Sequence, residues 1–176
     1  MILEEWAKSL LFGTSIEEKL RPISTEPLHD LNDTITCLHP IPSSSIDIPD
    51  FPGRPESLKR IGKTEFPSLS RLHHPEERGK VLHFFANHEL LALELMSLVL
   101  LRFPQAPLSF RQGIAKIIQE EQGHLQLYIA RMKELGITLG DIPINDYFCC
   151  APTTFSCWLD RYVTANNLAN FHKINF

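Results

Sequence analysis

Two long regular stretches, separated by only three residues, constrain the fold of this chain more than any other feature. The first runs from His74 to Phe103 and the second from Pro107 to Gly136, with residues 104–106 between them. In both, apolar side chains recur at the spacing of one helical face. A turn this short places consecutive helices side by side and antiparallel. The sequence therefore predicts a helical hairpin as the centre of an all-α fold.

Three ionisable residues fall in the apolar phase of the predicted hairpin. Glu89 follows Phe85 by four residues on the first helix. On the second helix, Glu121 precedes His124 by three residues and Tyr128 by seven. Because residues at these spacings share one helical face, both carboxylates and the imidazole are predicted to point into the core.

The two carboxylates are also predicted to lie at the same height along the hairpin. Glu89 is 15 residues before Pro104, and Glu121 is 14 residues after Pro107. At a rise of roughly 1.5 Å per residue, both lie about 21–23 Å from the turn. Buried carboxylates are costly unless they are protonated, paired or bound to metal, so the pattern indicates a metal site. The competing interpretation is a solvated or salt-bridged glutamate beside a core histidine.

Other ionisable residues of the hairpin are given different roles. Glu94 lies five residues after Glu89, about 140° round the helix, so we expect it to pair with an arginine or to face another helix. Glu120 competes with Glu121 for the inward position, but the helical phase favours Glu121. For His83, a hydrogen-bonded histidine of the core or its boundary is favoured over a residue that supports a metal ligand.

The sequence before the hairpin predicts two short helices and an extended arm. Residues 2–12 are amphipathic, and Ser15 with Glu18 forms a capping-box pattern that opens a second helix. From about Pro22 to Pro75 the density of proline excludes long helices and central strands. Residues 1–75 are therefore predicted to form short helices and an arm lying over the helical domain of residues 76–176.

After the hairpin, Gly136 is the predicted stop of the second helix. Residues 137–152 have no helical period and are long enough to run the length of a helix, as in bundles with one long crossover connection. A third helix is predicted from about residue 153, and no fourth helix follows it. Because three long helices without a fourth leave apolar faces uncovered, we expect an exposed apolar patch and either a homodimer or a helical partner.

Composition excludes several classes of function. The net charge is −4 with no cluster of basic residues, which gives no sign of a nucleic-acid partner. The first residues include two glutamates and lack the basic n-region of a signal peptide, and the apolar run of residues 90–101 is too short to span a bilayer, so we expect a cytoplasmic protein. The four cysteines form no C-x-x-C pair and are predicted to be reduced, and a zinc site using Cys150 and Cys157 is disfavoured.

Two segments of the hairpin resemble the ferritin-like superfamily, and are most similar to a bacterial ferritin-like family catalogued only as a domain of unknown function. The segments are HFFANHELLALELM, from His83, and EEQGHLQLYIARMKELGITLGDIPINDYF, from Glu120. The likeness covers most of the chain and includes PGRPE at residues 52–56. NHEL and EEQGH are also similar to the first half of the metal sites of demethoxyubiquinone hydroxylase and rubrerythrin. The resemblance implies that Glu89, Glu121 and His124 are ligands of a di-iron or di-manganese site.

The chain departs from the ferritin-like pattern in its last part. A ligand of the third helix is expected near residue 166, where the chain has Thr164, Asn166 and Asn167. The second E-x-x-H is missing together with its helix, so one chain supplies only half of a di-metal site. Three interpretations remain: a truncated member, a homodimer that completes the site, or a degenerate member with a structural role.

Two functions follow as hypotheses. The first is a metal-dependent protein of oxidoreductase type that uses iron or manganese. The second is a non-catalytic helical interaction protein with a degenerate metal site. A zinc hydrolase is disfavoured because the chain has no H-E-x-x-H motif.

Overall fold

The computed structural model describes residues 3–23, 52–59 and 65–144. Within these ranges the regular elements are all helical, so the predicted all-α class is confirmed for this part of the chain. The elements are α1 (Leu3–Phe12), α2 (Ile16–Lys19), α3 (Pro75–Arg102) and α4 (Leu108–Glu134), with single 3-10 turns at Glu56–Leu58 and Leu69–Arg71. The predicted third long helix, the crossover beyond residue 144 and all four cysteines lie outside the described residues.

Helices α3 and α4 form the predicted hairpin, with ends within two residues of the predicted ones. Pro75 occupies the first turn of α3, where its missing N–H costs no hydrogen bond, and Arg102 lies in the last turn beside the exposed carbonyls. Gly136 follows α4 with φ of 74°, the left-handed conformation that ends many helices. The helix stop predicted at Gly136 is therefore confirmed.

Helix α1 packs across the turn end of the hairpin. Its Trp6 and Leu10 are fully buried with Leu93 and Leu98 of α3 and Ile118 of α4. The chain then turns at Gly13 into α2, which opens with the predicted capping box: Ser15 Oγ accepts from the Glu18 backbone N–H, and the Glu18 carboxylate accepts from the Ser15 N–H. The N-terminal helices thus share the core of the hairpin.

A second apolar cluster fills the far end of the hairpin. Leu58 from the proline-rich region and Ile137 and Ile144 from the segment after α4 pack there against Leu90 and Leu125. Residues 137–144 therefore begin the connection after α4 by packing back onto the hairpin.

Residues 52–59 are the described part of the predicted arm, and they are fixed to the end of α1. The Gly53 N–H donates to the Leu11 carbonyl at 2.8 Å. A Cβ atom at position 53 would lie 2.1 Å from the Phe12 carbonyl oxygen, so only glycine permits this approach. The contact directs the next residue, Arg54, into the protein, where it is 7% exposed.

Helix α3 is long and apolar enough to cross a membrane by length and composition. However, 56% of its most apolar window is buried inside the protein. A core helix of a soluble protein has these same properties, and the cytoplasmic location stays a prediction.

Candidate metal centre

The structure brings the three predicted ligands together across the α3–α4 interface. One oxygen of Glu89, one oxygen of Glu121 and one ring nitrogen of His124 lie within 4.8 Å of one another. Among the described residues this is the one group of three or more His, Cys, Asp or Glu side chains close enough to share a metal ion. The prediction that Glu89 and Glu121 lie at the same height along the hairpin is therefore correct.

The three candidate ligands are less buried than the sequence predicted, so the prediction of their burial is wrong in degree. Glu89 is half-buried, the Glu121 side chain is 21% exposed and the His124 side chain is 55% exposed. The carboxylate of α3 that lies fully in the core is Glu94, and the buried polar residue of α4 next to Glu121 is Gln122. The reason is that α1, α2 and Arg54 cover the adjacent flank of the hairpin, so the most buried face is rotated away from the three ligands.

The proximity of the two carboxyl groups changes the protonation of Glu89. Its pKa rises to about 7, because burial penalises the charged form and because Glu121 contributes both a hydrogen bond and a negative charge. His124 opposes the rise with its positive charge. Near neutral pH, a large fraction of the Glu89 carboxyl groups therefore carries a proton, whereas an ordinary glutamate is ionised.

His124 is joined to the same carboxylate. Its Nδ1 lies 3.0 Å from Glu121 Oε2, the reach that the i, i+3 spacing on one helix provides. This hydrogen bond, followed by the negative charges of Glu121 and Glu89, raises the pKa of the imidazole above its ordinary value. Glu121 is thus the central residue of the group, bonded to Glu89 on one side and to His124 on the other.

The donor set fits a divalent metal ion. Two carboxylates and one neutral imidazole carry a charge of −2, which balances a divalent cation, and these ligand types suit iron, manganese and zinc. Ligands around one such ion lie about 3–4 Å apart when each bond is about 2.0–2.2 Å, so a spread of 4.8 Å closes with small side-chain adjustments. The exposed imidazole leaves one side of the centre open to solvent.

Aromatic side chains form one wall of the candidate centre. Phe85, one turn before Glu89, stacks on Tyr128, one turn after His124, with ring centroids 6.0 Å apart. Phe66 and Phe84 extend this wall through edge-to-face contacts with Phe85 or with each other. Phe85 is 41% exposed and Leu127 is 69% exposed, so apolar surface remains beside the three ligands.

Two of the other sequence assignments can be compared with the structure. His83 is a buried histidine whose Nε2 accepts the Gly140 N–H at 3.0 Å, as the favoured interpretation predicted. Glu120 is exposed, in agreement with the helical phase that placed Glu121 inward.

The sequence did not predict the buried polar contacts on the side of the hairpin next to the candidate centre. Lys19 and Arg54 both pair with Glu94, so the arginine expected for Glu94 is found. The buried Lys19 carries no sequence signal, because a lysine in a short polar helix is normally solvated. Arg54 was visible only as part of the PGRPE segment, and Gln122 only as the neighbour of Glu121.

The fold and the site define an all-α protein whose central helical hairpin carries a paired-carboxylate and imidazole cluster. A family model described as "Protein of unknown function (DUF455)" matches residues 14–166. The chain belongs to this family, since the match spans most of its length. No curated protein and no solved structure matches the chain.

Proposed function

We propose that the chain is a metal-binding protein of oxidoreductase type in which Glu89, Glu121 and His124 hold iron or manganese. The observation that carries the proposal is the convergence of these three ligand atoms within 4.8 Å at one height of the hairpin. The resemblance of the hairpin to the ferritin-like superfamily supports the choice of metal. The same resemblance would make the fold a bundle in which α3 and α4 are two of the helices.

The protons now held by the cluster mark where a cation would bind. A metal ion would replace the proton of Glu89 and would compete with His124 for the Glu121 oxygen that is bonded to the imidazole. When bound, iron or manganese would supply electron transfer to dioxygen or peroxide. The chain itself would orient the ligands, and the Phe85–Tyr128 wall would limit the access of water on one side.

A homodimer is the arrangement that would turn this half-centre into a two-metal centre. A second copy would contribute its own Glu89, Glu121 and His124. The exposed apolar side chains beside the centre, Phe85 and Leu127, support an interface at this position.

The test is the metal content of the full chain produced with iron or manganese in the medium. We expect inductively coupled plasma mass spectrometry to find about one metal ion per chain. This bound metal should be lost in Glu121→Gln and in His124→Ala. Glu120→Gln is the matched control, since Glu120 is the exposed neighbour on the same helix and should leave the content unchanged. A wild-type protein without metal would contradict the proposal. Light scattering of the same samples distinguishes a monomer from a homodimer.

The second candidate is a non-catalytic interaction protein with a degenerate site. The observation in its favour is that the cluster is satisfied without metal, because Glu121 is hydrogen-bonded to both Glu89 and His124. This candidate predicts that Glu121→Gln leaves partner binding unchanged. An increase in melting temperature on adding Mn²⁺ would argue against it.

A further inference from the structure

A second polar cluster lies on the buried flank of the hairpin, next to the candidate metal centre. Lys19 and Glu94 are both fully buried, and Lys19 Nζ lies 3.1 Å from Glu94 Oε1. Arg54 Nε donates to Glu94 Oε1 at 3.0 Å and to Oε2 at 3.2 Å. One carboxylate of α3 therefore receives two cations, one from α2 and one from the arm.

Lys19 also contacts the other long helix, through its backbone. Its carbonyl oxygen accepts a hydrogen bond from Gln122 Nε2 of α4 at 2.9 Å, and the same Nε2 donates to the Arg21 carbonyl at 3.0 Å. Gln122 is 5% exposed, so these bonds are made inside the protein. One residue thus joins both helices of the hairpin, α3 by its ammonium group and α4 by its carbonyl.

The position of Lys19 is itself fixed by α1. Its Nζ donates to the Leu10 carbonyl at 2.6 Å and to the Leu11 carbonyl at 3.2 Å. These are carbonyls of the last turn of α1, which have no partner within the helix. The three donors of the ammonium group are therefore all used, two on α1 and one on Glu94.

The polar contacts of Lys19 lie within one or two turns of the metal ligands. Gln122 is the residue after Glu121, and Glu94 is five residues after Glu89, about 7.5 Å along the axis. A helix rotates about its axis as a unit, so a contact that fixes Gln122 also fixes the direction of Glu121. The same holds for Glu94 and Glu89 on α3.

Apolar packing sets the rotation of a helix only coarsely, because the hydrophobic effect is non-directional and the apolar stripe of a helix is wide. Buried ion pairs and hydrogen bonds add little net stability, but they are satisfied in only one arrangement. Misplacing a ligand by about 1 Å is enough to weaken a site built from several side chains.

We propose that Lys19 is a positioning residue of the metal centre, which sets the rotation of α3 and α4 so that Glu89 meets Glu121 and His124. The proposal rests on the proposed function for its consequence, metal binding. Its structural content, the relative rotation of the two helices, does not depend on a metal.

The experiment uses two variants of the full chain and two readouts. Lys19→Met removes the ammonium group but keeps the apolar stem and leaves Glu94 paired with Arg54. Gln122→Met removes the contact to α4. Leu3→Ala is the control for stability, because Leu3 is a buried residue of α1 that makes none of these polar contacts. Lys8→Met is the control for the substitution, because Lys8 pairs with Glu4 at the surface.

The first readout is the nuclear Overhauser effect between the rings of Phe85 and Tyr128, measured without metal. This ring pair joins α3 to α4 one turn from the ligands, and loss of overall stability does not alter it while the chain is folded. The second readout is the affinity for Mn²⁺. We expect both methionine variants to weaken the ring contact and to lower the affinity by about tenfold, with both controls unchanged.

Each outcome supports or overturns the proposal. The proposal would be overturned if either folded methionine variant kept both the Phe85–Tyr128 ring contact and the wild-type affinity for Mn²⁺. It would also be overturned if Leu3→Ala lost the ring contact and the affinity to the same extent. If the wild type binds no Mn²⁺ while both methionine variants lose the ring contact, the proposed function fails and the positioning role stands. If Lys19→Met does not fold, Gln122→Met decides alone.

Discussion

Glu89 is hydrogen-bonded to another carboxyl group, Glu121, whereas Glu94 on the same helix is paired with two cations. Five residues of one helix thus separate a carboxyl group that takes up a proton from one that is held by Lys19 and Arg54. The difference follows from what each side of α3 faces. One side meets a like residue on α4, and the other meets the N-terminal helices and the arm.

The ion pairs of Glu94 predict a large loss of stability in Glu94→Gln. The substitution leaves Lys19 and Arg54 buried without a counter-charge, so we expect the free energy of unfolding in urea to fall by about 3 kcal/mol or more. Glu77→Gln is the control on the same helix. Glu77 is also buried, but its partners Arg71 and Lys80 have side chains that are 63% and 31% exposed and stay solvated, so the expected loss is below about 1 kcal/mol. Equal losses in the two variants would contradict this account.

The raised pKa of Glu89 predicts that the metal-free protein loses stability as the pH rises. The pKa of Glu89 is raised from 4.5 to about 7 in the folded state, so the folded protein binds more protons than the unfolded chain between these values. Stability then falls across this window and is lowest above pH 7. We expect Glu89→Gln to raise the melting temperature at pH 8 and to have little effect at pH 4. Glu120→Gln should change neither, and a wild-type-like pH slope in Glu89→Gln would contradict the role of this proton.

His83 predicts a pH dependence of the opposite sign. Burial lowers its pKa below 6.5, with Asp141 opposing, and the neutral ring accepts the Gly140 N–H. The unfolded chain therefore binds the proton first as the pH falls below about 6.5, and stability decreases on acidification. His83→Gln keeps an acceptor for Gly140 but does not titrate, so its melting temperature should change less between pH 7 and pH 5. His88→Gln, at an exposed histidine of the same helix, should retain the wild-type slope.

Two glycines predict opposite effects of alanine. Gly140 has φ of 101°, and a Cβ there would lie 2.8 Å from the Cβ of Ser57, so Gly140→Ala should be destabilising by more than about 1 kcal/mol. Gly113 lies inside α4, and a Cβ atom added there would have nothing within 4 Å, so Gly113→Ala should stabilise the helix by about 1 kcal/mol. Thermal unfolding of the two variants tests the pair, and equal signs would contradict it.

The metal ligands illustrate how far the sequence predicts the site. The short turn after Arg102 and the spacing of Glu89, Glu121 and His124 are enough to place three side chains at one height, because helix rise and period are constant. The degree of burial was predicted wrongly, because it depends on which flank of the hairpin other segments cover. The flank is covered by α1, α2 and Arg54, and no spacing within the hairpin reveals where these segments pack.

The sequence by itself determined the helical hairpin, its ends, the capping box at Ser15 and the meeting of Glu89 with Glu121 and His124. Each of these follows from contacts between residues close in the chain or from the fixed geometry of a helix. Only the tertiary structure decided that Lys19 is buried in contact with both long helices and that Arg54 reaches Glu94. These contacts join residues 40 to 103 positions apart, and no local preference encodes a pairing over that distance.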